Sequence, residues 1–212
     1  MTTPGMEFGA NDRATLEQIL RWRRDVRHFR TDPVPEKALT RLKQAMSLAP
    51  SVGNARPWRI IRVKDMALRA QVRAEFERCD AEAATAYDTD ARAEYLQLKL
   101  AGLDAAPEHL AIFTVTNPAE GRGLGRRTMP ETLHQSTAMA VYTLWLAARA
   151  ENLGIGMVSI LDPAVIESVF DVPAGWEFSA YLCLGWPEAA DDTPLLHRVG
   201  WQENQLTEWE ER

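Results

Sequence analysis

Five arginines fall within the ten residues RWRRDVRHFR, Arg21 to Arg30, and one carboxylate, Asp25, sits among them. Guanidiniums at Arg23, Arg24 and Arg27 offer fixed, bidentate donors to an oxyanion, phosphate above all. Basic residues at the end of a helix also complement its dipole, so spacing alone leaves a solvated helix end and a phosphate seat both open. Asp25 is readable as the ion-pair partner of Arg24 or Arg27.

A second group of candidates lies in APSVGNARPWRI, residues 49–60. Ser51, Gly53 and Asn54 form a small polar turn before the strand that opens at Trp58, and such a turn can present N–H groups and a hydroxyl to a phosphate or a polar ring edge. Ser-x-Gly-Asn is equally ordinary turn chemistry. Cys79 and Cys183 are far apart, and His28, His109, His134 and His197 make no pair at ligand spacing, so we expect neither a disulfide nor a protein-bound metal.

These residues need a scaffold, and 212 residues suit a single domain over 1–212, with residues 1–12 expected to be flexible. Apolar spacing of three or four predicts helices near 12–24, 35–48, 66–87, 88–101 and 163–170. Strands are expected at WRIIRV, LAIFTVT, GMVSIL and AYLCLGWP. The longest helix is expected to begin with Thr128 as N-cap and Glu131 as capping-box partner, and to stop at Gly154. Its middle, with Ala138, Met139, Val141, Leu144, Trp145 and Leu146, is apolar around the whole circumference, which suits either a buried core helix or the centre of an intertwined dimer. The fold class is α+β.

The net charge of −6 and a pI near 5.3 oppose general binding to nucleic acid. No apolar run is long enough to span a bilayer, and the opening MTTPGMEFGAND has no signal-peptide pattern, so a soluble cytoplasmic protein without membrane contact is expected.

The stretches RRDVRHFRTDPV, APSVGNARPW, GLGRRTMPETLHQSTAMAVYTLWLAARAENLGIGMVSILDP and LCLGWPE resemble the nitroreductase-like flavoprotein superfamily, from about Trp22 to Trp201. Asp25 within the arginine run, the GRRTMPET lead-in to the long helix and the GMVSILDP strand resemble one family within it, the BluB family of 5,6-dimethylbenzimidazole synthases.

That resemblance implies an FMN-dependent fold with a central mixed or antiparallel sheet flanked by helices. It also implies an intertwined homodimer with the flavin held between both chains. It implies flavin contacts at Arg23, Arg24, Asp25, Val26, Arg27, Ser51, Asn54, Trp58, Gly156, Ser159 and Arg198, with catalytic roles for Asp25 and Ser159. Here Asp25, where ordinary nitroreductases carry Ser, would act as a general base or orient a ribityl hydroxyl. Residues 88–110, with Tyr95, Leu98 and Leu103, would form a lid. Ala55-Arg56 departs from the usual Gln before Pro-Trp and leaves the contact at Arg56 open.

The implied reaction is oxygen-dependent fragmentation of reduced FMN to 5,6-dimethylbenzimidazole and erythrose 4-phosphate. The first product would serve as the lower ligand of cobalamin, and an external flavin reductase would supply the reduced substrate. A conventional NAD(P)H-dependent nitroreductase or flavin reductase, and a non-catalytic flavin carrier, are the competing readings.

Overall fold

The chain's apolar residues cluster into strands of five to ten residues, rich in β-branched and aromatic side chains, between helices that bury one face. In the computed structural model, which describes residues 5–86 and 102–212, the order is α1 (Ala10–Trp22), α2 (Glu36–Met46), β1 (Trp58–Arg62), α3 (Met66–Ala84) and β2 (Glu108–Val115). There follow α4 (Thr132–Ala150), β3 (Gly154–Val158), α5 (Pro163–Val169), β4 (Trp176–Gly185) and α6 (Leu195–Arg198). The strands form one sheet in the order β1-β2-β4-β3, and every pairing is antiparallel.

Side-chain alternation along β2 and β4 divides the interior into two layers. Ile112, Leu182 and Leu184 join Leu39, Leu42 and Met46 of α2 and Ala140, Leu144 and Ala148 of α4. Ala111, Phe113, Tyr181 and Cys183 project the other way, onto Val72 of α3, Ile166 of α5 and Phe29. The register shifts between Ile112 and Phe113, so that Ile112 pairs with Ala180 and Phe113 with Phe178. This bulge leaves Ser179 outside the pairing and directs its hydroxyl to Thr114, 2.7 Å away.

The structure moves both ends of the longest expected helix. Thr128 lies in a turn and α4 starts at Thr132, because Pro130 disfavours helical backbone at Met129 before it. At the other end Asn152, at φ 60°, reverses the chain while Leu153 N–H donates to the Ala148 carbonyl at 2.8 Å. Gly154 therefore opens β3 rather than ending the helix. Within this one chain α4 buries Leu133, Ala140, Val141, Leu144 and Ala148 but leaves Met139 and Tyr142 exposed.

The helix expected at 88–101, and with it Tyr95, Leu98 and most of the supposed lid, lies outside the described residues. Residues 108–110 of that lid begin β2. Residues 10–12 are part of α1.

Candidate functional site

After α1 the chain runs extended along the free edge of β3. Val26 N–H donates to the Ile155 carbonyl at 3.0 Å, and the Asp25 carboxylate accepts the Met157 N–H at 2.9 Å. Two glycines make this approach possible. A Cβ on Gly156 would stand 2.1 Å from the Val26 carbonyl oxygen, and one on Gly154 would stand 2.6 Å from a Val26 methyl. Gly156, expected against a flavin ring, is thus already required by the arginine segment itself.

The carboxylate is held from a second side, where Arg27 Nε donates to Asp25 at 3.0 Å. Arg24, Asp25, Val26, Arg27 and Arg198 line one cleft of about 460 Å³ together with Glu188 and Asp191. The sequence segments 24–27 and 198 therefore meet in space, brought together by the turn that follows β4. Arg198 pairs there with Asp191 at 3.0 Å. Burial depresses the Arg24 pKa, and the neighbouring Arg23 charge adds to that effect. An incoming dianion would strengthen the charged form of Arg24 and take over the donors that Asp191 now occupies.

Arg23 does not line this cleft. Its guanidinium lies over the Tyr142 ring, 5.7 Å from the centroid, and over Trp145 at 5.2 Å. These are cation–π distances. The Trp145 indole N–H donates to the Arg24 carbonyl at 3.2 Å, so α4 grips the backbone on the approach to Asp25. Sequence reasoning missed Tyr142 and Trp145 as site-positioning residues, although two amphipathic aromatics on the polar margin of an apolar helix were the available signal.

Asn54 belongs to a different cleft, and Ser51 lines neither that one nor the arginine cleft. The turn at Val52–Asn54 packs against the loop Gly121–Thr128, and together they enclose about 810 Å³. The Ser51 hydroxyl accepts the Arg56 N–H at 3.0 Å, and the Arg56 side chain turns back to the Ser47 carbonyl at the end of α2. Arg56 therefore serves α2 in this chain. Trp58 is half-buried against the α2–α4 core. Ser159 falls just beyond β3, exposed, and lines neither cleft.

A third hollow of about 440 Å³ lies between α4 and the β3–β4 edge, lined by His134, Thr137, Tyr142, Trp145, Met157, Phe178 and Ser179. Beneath it runs a hydroxyl chain in which Thr114 donates to Thr137 at 2.7 Å and shares a hydrogen bond with Ser179 at 2.7 Å. The Ser179 bulge, which no periodicity in the sequence announces, builds that chain.

The family model for the nitroreductase family matches residues 20–186. The chain is 59% identical over 207 residues to a 5,6-dimethylbenzimidazole synthase of Rhodobacter capsulatus, covering 98% of this chain and all of that one. It is 48% identical over 198 residues to the 5,6-dimethylbenzimidazole synthase of Rhodospirillum rubrum, covering 93% and 94%. Among solved structures it is similar to oxidized iodotyrosine deiodinase bound to FMN and 3-iodo-L-tyrosine, with TM-score 0.71 and 22% identity over 93% of this chain and 97% of the other.

Proposed function

The chain belongs to the nitroreductase family, and we propose that within it the chain is a 5,6-dimethylbenzimidazole synthase. Reduced FMN is consumed with molecular oxygen to give the benzimidazole and erythrose 4-phosphate, with the flavin's pyrimidine ring leaving as a separate fragment. The observation that carries this reading is the near full-length likeness to synthases of that name.

The chemistry of the arginine cleft fits the substrate. Arg24, Arg27 and Arg198 are donors suited to the flavin phosphate, with Val26 as the backbone wall between them. Asp25 is fixed by two hydrogen bonds, which suits a residue that must meet a ribityl hydroxyl at one angle. Ser159, exposed at the end of β3, is the hydroxyl we assign to the flavin edge. Arg23 supports the segment through its aromatic contacts. The flavin supplies the electrons that reduce oxygen, and because it is consumed, an external flavin reductase must deliver it reduced.

Ser51, Asn54 and Trp58 would reach the same flavin from the partner in a homodimer, since in one chain none of them lines the cleft that holds Asp25. The exposed Met139 and Tyr142 on α4 supply apolar surface for that pairing. We assign the protein to the cytoplasm, where reduced flavin is available; among the described residues no helix is long and apolar enough to cross a membrane.

The test is to mix the purified protein with reduced FMN in air and follow products by mass spectrometry. Benzimidazole and a four-carbon sugar phosphate should appear in equal amounts as flavin disappears. Flavin that survives many turnovers, with NADPH oxidised in step with a nitroaromatic, would replace this reading with a conventional nitroreductase.

A further inference from the structure

The chain that leaves β4 carries carboxylates of its own up to the arginine cleft. Arg30 N–H donates to the Trp186 carbonyl at 2.9 Å and Glu188 N–H to the His28 carbonyl at 3.1 Å, so residues 186–188 are fastened to the arginine segment. Beyond them Glu188 and Asp191 join Asp25 in the lining of the cleft. Three carboxylates there face three arginines, Arg24, Arg27 and Arg198, and the charges of the lining cancel. A phosphomonoester carries about two negative charges at neutral pH, so it gains from these arginines only by competing with carboxylates the protein already supplies.

These carboxylates are held differently. Asp25 is pinned twice, by Arg27 and by the Met157 N–H, and the Arg27 side chain is well covered. Asp191 accepts the Thr193 N–H at 2.8 Å with one oxygen and pairs with Arg198 at 3.0 Å through the other. Both side chains of this second pair are partly exposed, and an ion pair of that kind is weak enough for a more highly charged anion to displace. Arg24 donates instead to the Arg21 carbonyl. Direct competition between a ligand and a protein carboxylate therefore falls on Arg198.

We infer that Asp191 is a built-in competitor for the phosphate: it holds Arg198 against the ligand and so keeps phosphate affinity below what the three arginines alone would give. The inference rests on the proposed reading of this cleft as the seat of the flavin phosphate. Under that reading the sugar phosphate product keeps the same phosphate, and a seat of full strength would retain it. A carboxylate ready to take Arg198 back favours release, a use of repulsion rather than attraction to set which species stays bound.

The test is anaerobic calorimetry, which reads binding without turnover, at about 0.15 M salt so that only nearby charges count. The probes are reduced FMN, erythrose 4-phosphate and, as the ligand without phosphate, reduced riboflavin. Asp191→Asn keeps an oxygen for the Thr193 N–H and removes the charge. It should tighten both phosphate ligands about three- to tenfold, the scale of a partly exposed ion pair plus the repulsion removed with it, and leave riboflavin unchanged. In an Arg198→Gln background the same substitution should have little effect, since the contested donor is gone. Phosphate ligands bound no tighter by Asp191→Asn, an equal gain for riboflavin, or a full gain without Arg198 would each overturn the inference. A parent that binds FMN and riboflavin equally would overturn the phosphate seat itself and the inference with it. Should Asp191→Asn fail to fold by circular dichroism, Asp191→Ser, whose hydroxyl also accepts the Thr193 N–H, gives the same comparison.

Discussion

Asp25 carries two structural bonds and, in our proposal, one chemical role. Asn at this position keeps an oxygen for the Met157 N–H but turns an amide toward Arg27, and it removes both the charge and the basic site. We therefore expect Asp25→Asn to abolish benzimidazole formation while reduced flavin still binds within about tenfold of the parent, read by fluorescence titration under anaerobic conditions. Parent-rate turnover would make Asp25 only the counter-ion of Arg27. Arg27→Gln should do the opposite and weaken flavin binding about ten- to a hundredfold, the cost of a charge-assisted contact. Trp145→Phe separates positioning from chemistry: it keeps a ring for Arg23 but deletes the donor to the Arg24 carbonyl. It should lower kcat several-fold with little change in KM, whereas a merely structural role would show only as a lower melting temperature.

The edge of β3 is where an element makes the site possible. The arginine segment lies on that edge only because Gly154 and Gly156 present no side chain to Val26, and the added methyl of Gly156→Ala would fall 2.1 Å from a backbone oxygen. Backbone must shift, which breaks the 3.0 Å bond from Val26 to Ile155 and displaces Asp25. We expect a loss of about 3 kcal/mol or more in urea denaturation, together with loss of activity. Much of this layout was legible in the sequence, because strand composition and helical spacing are local signals. The strands WRIIRV and LAIFTVT and the helices near 35–48 and 163–170 lie within a few residues of where spacing puts them. The meeting of Arg24, Asp25 and Arg27 with Arg198 followed from resemblance, since no local pattern links positions so far apart. Three things were not read from the local pattern. The Ser179 bulge arises from a register shift between strands, the Arg23 stack from tertiary contact with α4, and the start of α4 from a proline whose effect outweighed a good capping pattern at Thr128.

At the scale of the whole molecule, assembly and acid stability follow from what the single chain leaves exposed and what it buries. Exposed Met139 and Tyr142 on a central helix, and predicted flavin residues divided between two clefts, lead us to expect a homodimer by light scattering. A monomer at micromolar concentration that binds flavin normally would sink the shared site. The acid side turns on His109, wholly buried in the sheet with its Nδ1 2.9 Å from the Tyr181 hydroxyl. Burial, aided by the nearby Arg69 charge, pulls its pKa down to about 4 from the usual 6.5. The folded state therefore keeps His109 neutral over a range in which the unfolded chain takes up a proton. Stability is intact above pH 6.5 and falls as pH drops toward 4, by about 3 kcal/mol in total. Glu75 does not blur this window. Its carboxylate, held down to about 2 by Arg78, loses its contribution only as pH falls from its ordinary value of 4.5 toward 2. Denaturation midpoints measured between pH 4.5 and 6.5 at one protein concentration should then fall steeply for the parent and stay nearly level for His109→Gln, which retains polar contact with Tyr181 without titrating. Parallel losses in the two proteins would assign the acid sensitivity to groups other than His109.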